Sequence, residues 1–384
     1  MAAVAEQPNR PDRPDRPDRP DRPDRTDARN RPNRPTRRQR PNQSPVLVAN
    51  ATEGEPLSAK DRTLLLANPH LVLDGMQAAA GAVNATRLLL CVERDQAAVI
   101  GAVRRAFEQR PADPVAFELA LTPNRYVAGQ ETALVHWLNG GDARPTFGAR
   151  PFERGVGGRP TLVDNVETLA HVALIARFGA DWYRRVGVHD EPGSMLLTVA
   201  GAATRPGVRE VPIGYPLERL LTDAGAAPAQ ALLIGGYFGT WVAADRLGGM
   251  RWSAAGLGGA GARPGCGLVV VIPHGVCVLA EVAAVAEWYA ANSAGQCGAC
   301  LFGLADIAGA MRGALEGAPG AAEAARRWAG MVRGGGACQL PDGAAGFVES
   351  ALEVFAGEAH EHQAGRCSRP YARYLPAPAP GEWR

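Results

Sequence analysis

Cysteines carry the most chemistry in this chain. Cys297 and Cys300 stand two residues apart in the run Asn292-Ser293-Ala294-Gly295-Gln296-Cys297-Gly298-Ala299-Cys300; Cys338 follows 38 residues later and Cys367 another 29. Thiolate sulfur is the ligand that iron–sulfur clusters and structural zinc both select, and two cysteines separated by two residues can bind one centre from a single tight turn. Gly295 and Gly298 let the backbone come close to such a centre. The set points to an electron carrier, with a zinc-stapled binding module as the other reading of the same donors. Cys91 lies inside an apolar strand, and Cys266 and Cys277 sit in apolar or Gly-rich surroundings, so these three read as structural.

A second group of residues could hold a ligand. Asn50-Ala51-Thr52-Glu53-Gly54-Glu55-Pro56 follows directly on the apolar run 46–49, and the carboxyl end of a strand is where an open α/β sheet places its ligand. Its carboxylates could accept hydrogen bonds from ribose or ribityl hydroxyls, or simply face solvent. Gly129-Gln130-Glu131-Thr132-Ala133 and Pro160-Thr161-Leu162-Val163-Asp164-Asn165-Val166-Glu167-Thr168 read as helix starts capped by Thr132 and Asp164.

The elements that would position these residues follow from periodicity. Strands are expected at 46–49 and 88–92 and helices at 68–82 and 96–109, an alternation that implies a parallel sheet with crossovers. The pattern changes near Ser194 to strands at 195–201, 208–211 and 231–234 with a helix near 217–224, a small α+β module. Alanine-rich segments near 279–291, 301–315, 321–332 and 344–360 suggest a helical bundle whose loops carry the cysteines.

Composition narrows the class further. The 384 residues are 46% hydrophobic, enough for two or three cores, and seven cysteines with no signal-like opening argue against a secreted disulfide framework. The expectation is a cytoplasmic, reduced protein. The apolar stretch 267–285 is broken by Pro273, His274 and Glu281, so it is not expected to cross a membrane. Residues 1–41 hold 12 Arg against 7 acidic side chains, and the remainder 29 basic against 32 acidic. Five Arg-Pro-Asp triplets over 10–24 block helix and sheet, and their interleaved charges weigh against nucleic-acid binding, so residues 1–43 are expected to be a disordered spacer.

Taken in order, these segments resemble the NADH-binding flavoprotein subunit of respiratory complex I and its relatives in soluble hydrogenases and formate dehydrogenases, over roughly residues 45–360. The first family loop, Asn-Ala-Asp-Glu-x-Glu-Pro followed by Lys-Asp-Arg, is matched by Asn50, Glu53, Glu55, Pro56 and Lys60-Asp61-Arg62. The second, Gly-Glu-Glu-Thr-Ala, is matched by Gly129 to Ala133, and the third, Pro-Thr-x-x-Asn-Asn-Val-Glu-Thr, by Pro160 to Thr168. Thr52, Gln130 and Ala294 depart from the family pattern, and the Arg-Pro repeat stands where the family has a glycine-rich loop.

The resemblance implies a fold of three parts: a partial Rossmann-like α/β domain for FMN and NADH over 44–190, a β-grasp module of the soluble-ligand-binding kind over 194–265, and a helical iron–sulfur domain over 276–367. A flexible C-terminal tail, 368–384, would follow. Asn50, Glu53, Tyr126, Gly129, Asp164 and Asn165 would surround FMN, while Glu55, Glu131 and Phe152 would face NAD(H) or NADP(H). Cys297, Cys300 and Cys338 would ligate a [4Fe–4S] cluster. Cys367 is the expected fourth ligand, with His360, His362 or an exogenous group as alternatives. The implied activity is NAD(P)H oxidation through FMN and the cluster to a ferredoxin-like or membrane redox partner, within a larger redox complex. A flavin-free relay or structural subunit is the other reading of the missing loop.

Overall fold

Strands that are apolar on both faces demand a parallel sheet covered on either side. The protein is described by a computed structural model over residues 44–367 and 369–384; the disorder expected for residues 1–43 lies outside the described residues. The first part runs β1 (Val46–Ala51), α1 (Lys60–Ala67), α2 (Pro69–Val83), β2 (Arg87–Glu93), α3 (Ala97–Glu108), β3 (Phe117–Thr122), α4 (Glu131–Leu138), β4 (Thr161–Asn165), α5 (Val166–Phe178) and α6 (Ala180–Tyr183). The strands lie in the order β3-β2-β1-β4, all parallel, with Val46 opposite both Arg87 and Thr161.

Alternation along β1 divides the two faces. Leu47 and Ala49 pack with α2, α3 and α5, while Val46 and Val48 meet Leu134 and Val135 of α4. The stripe Val99, Ile100, Val103 and Ala106 on α3, at three- and four-residue spacing, seats that helix on the sheet. α2 and α5 approach so closely that a Cβ on Gly75 would collide with the Leu169 carbonyl.

A second unit contains β5 (Ser194–Gly201), β6 (Gly207–Pro212), β7 (Tyr215–Pro216), α7 (Leu217–Asp223), β8 (Ala229–Ile234), β9 (Thr240–Ala243), β10 (Arg251–Trp252), α8 (Ala254–Gly258) and β11 (Leu268–Pro273). The boundary expected at residue 265 falls short. β11 is the middle strand of the sheet β6-β5-β11-β8-β9, parallel to β5 and antiparallel to β8. A short apolar run followed at once by a helix has no period of its own to mark it as a strand. Leu268, Val270 and Ile272 point toward the helical bundle, and Val269 and Val271 toward α7 and Trp252.

The bundle comprises α9 (Val278–Ala291), a π-helical turn at Ala299–Gly303 continuing into α10 (Leu304–Leu315), α11 (Ala321–Val332), α12 (Leu340–Val354) and α13 (Ala356–Gln363). The helix expected at 344–360 is two helices, because Phe355 leaves helical geometry with φ −108° and ψ 27°. α9 is buried around most of its circumference, between the second sheet and the other helices.

The C-terminal segment is anchored rather than loose. The backbone N–H groups of Tyr374 and Leu375 donate to the fully buried Glu281 on α9. Tyr237 donates its hydroxyl to the Pro376 carbonyl, Trp288 its indole N–H to Pro378, and Arg125 its guanidinium to Gly381. Among the described residues no helix is long and apolar enough to cross a membrane.

Candidate functional site

The loop after α9 assembles the thiols. Gly295 turns the chain with φ +66°, a conformation that other residues rarely adopt. The Cys297 carbonyl then accepts the N–H groups of Cys300 and Leu301, at 3.1 and 2.9 Å, starting the turn into α10. Ser293 Oγ donates to the Cys300 carbonyl at 3.0 Å and ties the loop's two ends. Cys338 stands just before α12. Cys300 and Cys338 are buried and Cys297 is half-buried.

Two of these thiols feel their neighbours. Burial first, then the neighbouring Cys297, pushes the Cys300 thiol up. Burial, with smaller contributions from Cys300 and Cys297, pushes Cys338 up to about 11. Thiols whose ionisation is opposed by burial and by neighbouring sulfur, as at Cys300 and Cys338, are stabilised as thiolates by a cation beside them, so the donor set fits iron–sulfur ligation. Ala294, 4% exposed in the same loop, offers no donor.

The expectation that Cys367 completes this set is corrected. Cys367 lies with Cys277 and His362, their ligand atoms all within 4.8 Å of one another. Cys277 caps the start of α9, whereas the Cys297 loop follows its end, roughly 22 Å away at 1.5 Å per residue. His362 likewise sits at the far end of α10, its Nδ1 2.7 Å from the Leu315 carbonyl, and so is no substitute.

At the carboxyl ends of β1 and β3, two loops lie side by side. Asn50 Nδ2 donates to the Gly129 carbonyl at 2.8 Å, and a Cβ on Gly129 would reach within 2.7 Å of the Thr52 carbonyl oxygen. A Cβ on Gly54 would lie 2.6 Å from the Tyr126 carbonyl oxygen. Both glycines are needed for this approach. Asn165 accepts from Lys60 Nζ at 3.0 Å and donates to Asp61 at 2.8 Å, while Lys60 pairs with Asp61 and Glu167 at 2.6 and 3.0 Å. Burial alone would lower the Lys60 ammonium, but the two carboxylates outweigh it and hold the group charged. This network gives Lys60 and Asp61 a function: together they lock Asn165.

The expected nucleotide residues divide by environment. Glu53 accepts from Ser58 Oγ and from the N–H groups of Asp61 and Arg62, so it caps α1 from the loop before it, and burial raises its carboxyl. Glu55 accepts from the Tyr237 N–H at 2.8 Å and the Tyr126 hydroxyl at 3.4 Å, yet its Oε1 is buried without a partner. Burial pushes Glu55 up to about 8, which keeps it neutral at pH 7. Asp164 is half-buried on β4 and raised by burial. Glu131 and Phe152, by contrast, are exposed. The helix caps also differ from expectation. Gln130 Oε1 accepts the N–H groups of Thr132 and Ala133 to cap α4, and Asn165 caps α5 through the Glu167 N–H.

Beside these loops lies a cavity of about 280 Å³ lined by Glu53, Glu55, Glu93, Arg125, Tyr126 and Trp288, with Pro376, Pro378 and Pro380 along another wall. Glu93 Oε1, like Glu55 Oε1, is buried and unpartnered, and burial, with Asp95 and Glu53 nearby, pushes its carboxyl up to about 7. Two orphaned carboxyl oxygens at the ends of β1 and β2 fit the hydroxyls of a flavin or nucleotide. Sequence reasoning misses Trp288 and Arg125. Trp288 lies in the regular periodicity of α9, and nothing in its spacing sets it apart from a core residue.

Comparison with known proteins agrees with this division of the chain. Residues 33–174 match the Nuo51 FMN-binding domain family, and residues 280–362 match the NADH-ubiquinone oxidoreductase-F iron–sulfur binding region. The F subunit of NADH-quinone oxidoreductase from Mycobacterium tuberculosis is 31% identical over 338 residues, covering 83% of this chain and 76% of that protein. Its Escherichia coli counterpart is 29% identical over 333 residues, covering 81% and 75%. A crystal structure of an NAD+-reducing [NiFe]-hydrogenase in the H2-reduced state superposes with a TM-score of 0.76 at 29% identity, covering 86% of this chain. The chain spans only 58% of the length of that hydrogenase chain.

Proposed function

The chain belongs to the family of NADH-quinone oxidoreductase F subunits, and we propose that it oxidises NADH or NADPH and delivers the electrons singly to a partner in a larger redox complex. FMN, when bound, supplies the conversion between a two-electron donor and one-electron carriers. The carrying observation is that one helix end serves both centres. Trp288 and Asn292, in the last turn of α9 and at its C-cap, line the cavity, and Cys297 follows five residues after Asn292, at most about 18 Å along the chain.

Each group's part follows from its environment. The neutral Glu55 carboxyl would donate or accept hydrogen bonds to sugar or ribityl hydroxyls without adding charge, and Glu93, raised to about 7, would accept from them in its ionised form and donate in its protonated one. Lys60, Asp61 and Glu167 hold Asn165 and β4 in register for FMN. Glu131 and Phe152, both exposed, would meet the nicotinamide nucleotide from the α4 side. Cys297, Cys300 and Cys338 would hold three irons of a [4Fe–4S] cluster, with a non-cysteine ligand on the fourth. The module over 194–273 supports a β-grasp reading, and the first sheet a partial Rossmann-like one. A ferredoxin-like or membrane redox protein is the class of acceptor that suits a one-electron donor.

Anaerobic purification, reconstitution with iron and sulfide, and measurement of bound FMN, iron and the low-temperature EPR spectrum test this reading. Stoichiometric FMN with a [4Fe–4S] signal is the expected result. A cluster without flavin would replace the enzyme by a relay or structural subunit, and zinc at the three thiols in place of iron would end both.

A further inference from the structure

A second donor set stands at the opposite end of α9 from the cluster thiols. Cys277 Sγ lies 3.2 Å from His362 Nε2, and Cys367 Sγ is within 4.8 Å of both. The three residues come from the start of α9, the last turn of α13 and the segment beyond it. The histidine is already oriented. Its Nδ1 is 2.7 Å from the Leu315 carbonyl, which can only accept, so Nδ1 carries the proton and Nε2 turns its lone pair toward the sulfur. A backbone carbonyl that fixes the tautomer of a ligating imidazole is the usual outer-shell partner of metal-bound histidine.

The spacing suits a tetrahedral ion. Zinc bonds of about 2.3 Å to sulfur and 2.0–2.1 Å to nitrogen put sulfur about 3.6 Å from nitrogen and the two sulfurs about 3.8 Å apart. The 3.2 Å between Cys277 and His362 opens by about 0.4 Å, and Cys367, within 4.8 Å of both, closes by about 1.2 Å at most. Neighbouring charge is arranged to tolerate the ion. Glu358 stands beside Cys277, and its carboxylate accepts from the Leu279 N–H and from Arg369, which also pairs with Glu361. Two thiolates and an imidazole form a borderline-soft set that favours zinc over magnesium or calcium.

We propose that Cys277, His362 and Cys367 bind one Zn²⁺, with water in the fourth position, as a staple separate from the iron–sulfur thiols. Binding forms two Zn–S bonds and one Zn–N bond and releases two thiol protons, with no redox change. Its structural effect is on the chain beyond Cys367. The Cys277 N–H already donates to the Pro370 carbonyl, and residues 374–381 go on to Glu281, Tyr237, Trp288 and Arg125. A metal at Cys367 therefore fixes the start of the segment whose prolines wall the cavity.

The test uses the full chain with its cluster thiols loaded with iron, so that zinc cannot enter them. After incubation with Zn²⁺ and desalting, zinc and iron per chain are measured for wild type, Cys367→Ser and His362→Ala, with circular dichroism to verify folding. One zinc per chain in wild type and at least a tenfold loss in both variants, with iron unchanged, is expected. Co²⁺ added to wild type should give the intense near-ultraviolet thiolate-to-metal absorption, a readout that requires no variant. Wild type that holds no zinc and alkylates at both Cys277 and Cys367, or that shows a Cys277–Cys367 disulfide by mass, overturns the proposal. So does zinc binding that survives both substitutions. Because the residues are distinct, failure here leaves the cluster and flavin results intact, and failure there leaves this site readable as the one zinc per chain that wild type holds beyond Cys367→Ser and His362→Ala.

Discussion

The ring of Tyr126 packs edge-on against that of Trp288, centroids 4.6 Å apart and planes at 63°. Tyr126 belongs to the loop that lies along the Asn50–Pro56 segment, and Trp288 to the helix that ends at the Cys297 loop. Arg125 adds a hydrogen bond to the Ala291 carbonyl, one turn further along the same helix. The nucleotide side and the thiol side are thus joined through two adjacent residues.

Trp288→Ala should break that join. Truncating a buried tryptophan costs about 3–5 kcal/mol, seen as a lower thermal midpoint. The variant should also slow electron arrival at the cluster while leaving iron content unchanged. Stopped-flow absorbance after mixing with NADH reads the rate, and unchanged kinetics would show that the contact serves stability alone.

With three protein thiolates, the cluster should lose iron more readily than a four-cysteine cluster. Ala294→Cys restores the missing donor at a buried position of the same loop. Its iron should survive air exposure several-fold longer than that of wild type, measured by iron content and EPR over time. Cys338→Ser, in contrast, should abolish the cluster.

Glu55 gives a pH signature. The unfolded chain releases this proton near pH 4.5, whereas burial lets the folded chain keep it to about 8. Folding therefore binds a proton in that window, and stability falls as pH rises through it. Glu55→Gln removes this dependence. Relative to wild type, the variant should gain about 3–5 kcal/mol between pH 4 and pH 9, read from urea unfolding at the two pH values. A constant difference between the proteins would contradict a neutral Glu55.

Gln130→Ala deletes the side chain that caps α4. A lost cap costs about 0.5–2 kcal/mol, and Gln130→Glu, which keeps the acceptor and adds a charge suited to a helix N-terminus, should restore it. Chemical denaturation of the pair separates the two contributions.

The parts legible in the sequence are those whose chemistry is local. Continuous apolar runs mark β1 and β2, and the Cys-x-x-Cys spacing marks the turn that starts α10. β11 escapes because six apolar residues beside a buried helix have no period to distinguish them. Cys367 is misplaced by sequence reasoning because spacing along a chain carries no information about which end of a helix bundle a returning segment reaches. The Glu55 environment depends on Tyr237, 182 residues away, and no local pattern foretells a carboxyl neutral at pH 7.

The central claim is that electrons pass from nicotinamide to the three-thiol site within this one chain. Anaerobic addition of NADH or NADPH to the reconstituted, FMN-loaded protein, followed by low-temperature EPR, tests it directly. A reduced-cluster signal is expected in wild type and is absent from Cys338→Ser. A protein that binds both cofactors yet shows no cluster reduction by either nucleotide would contradict it.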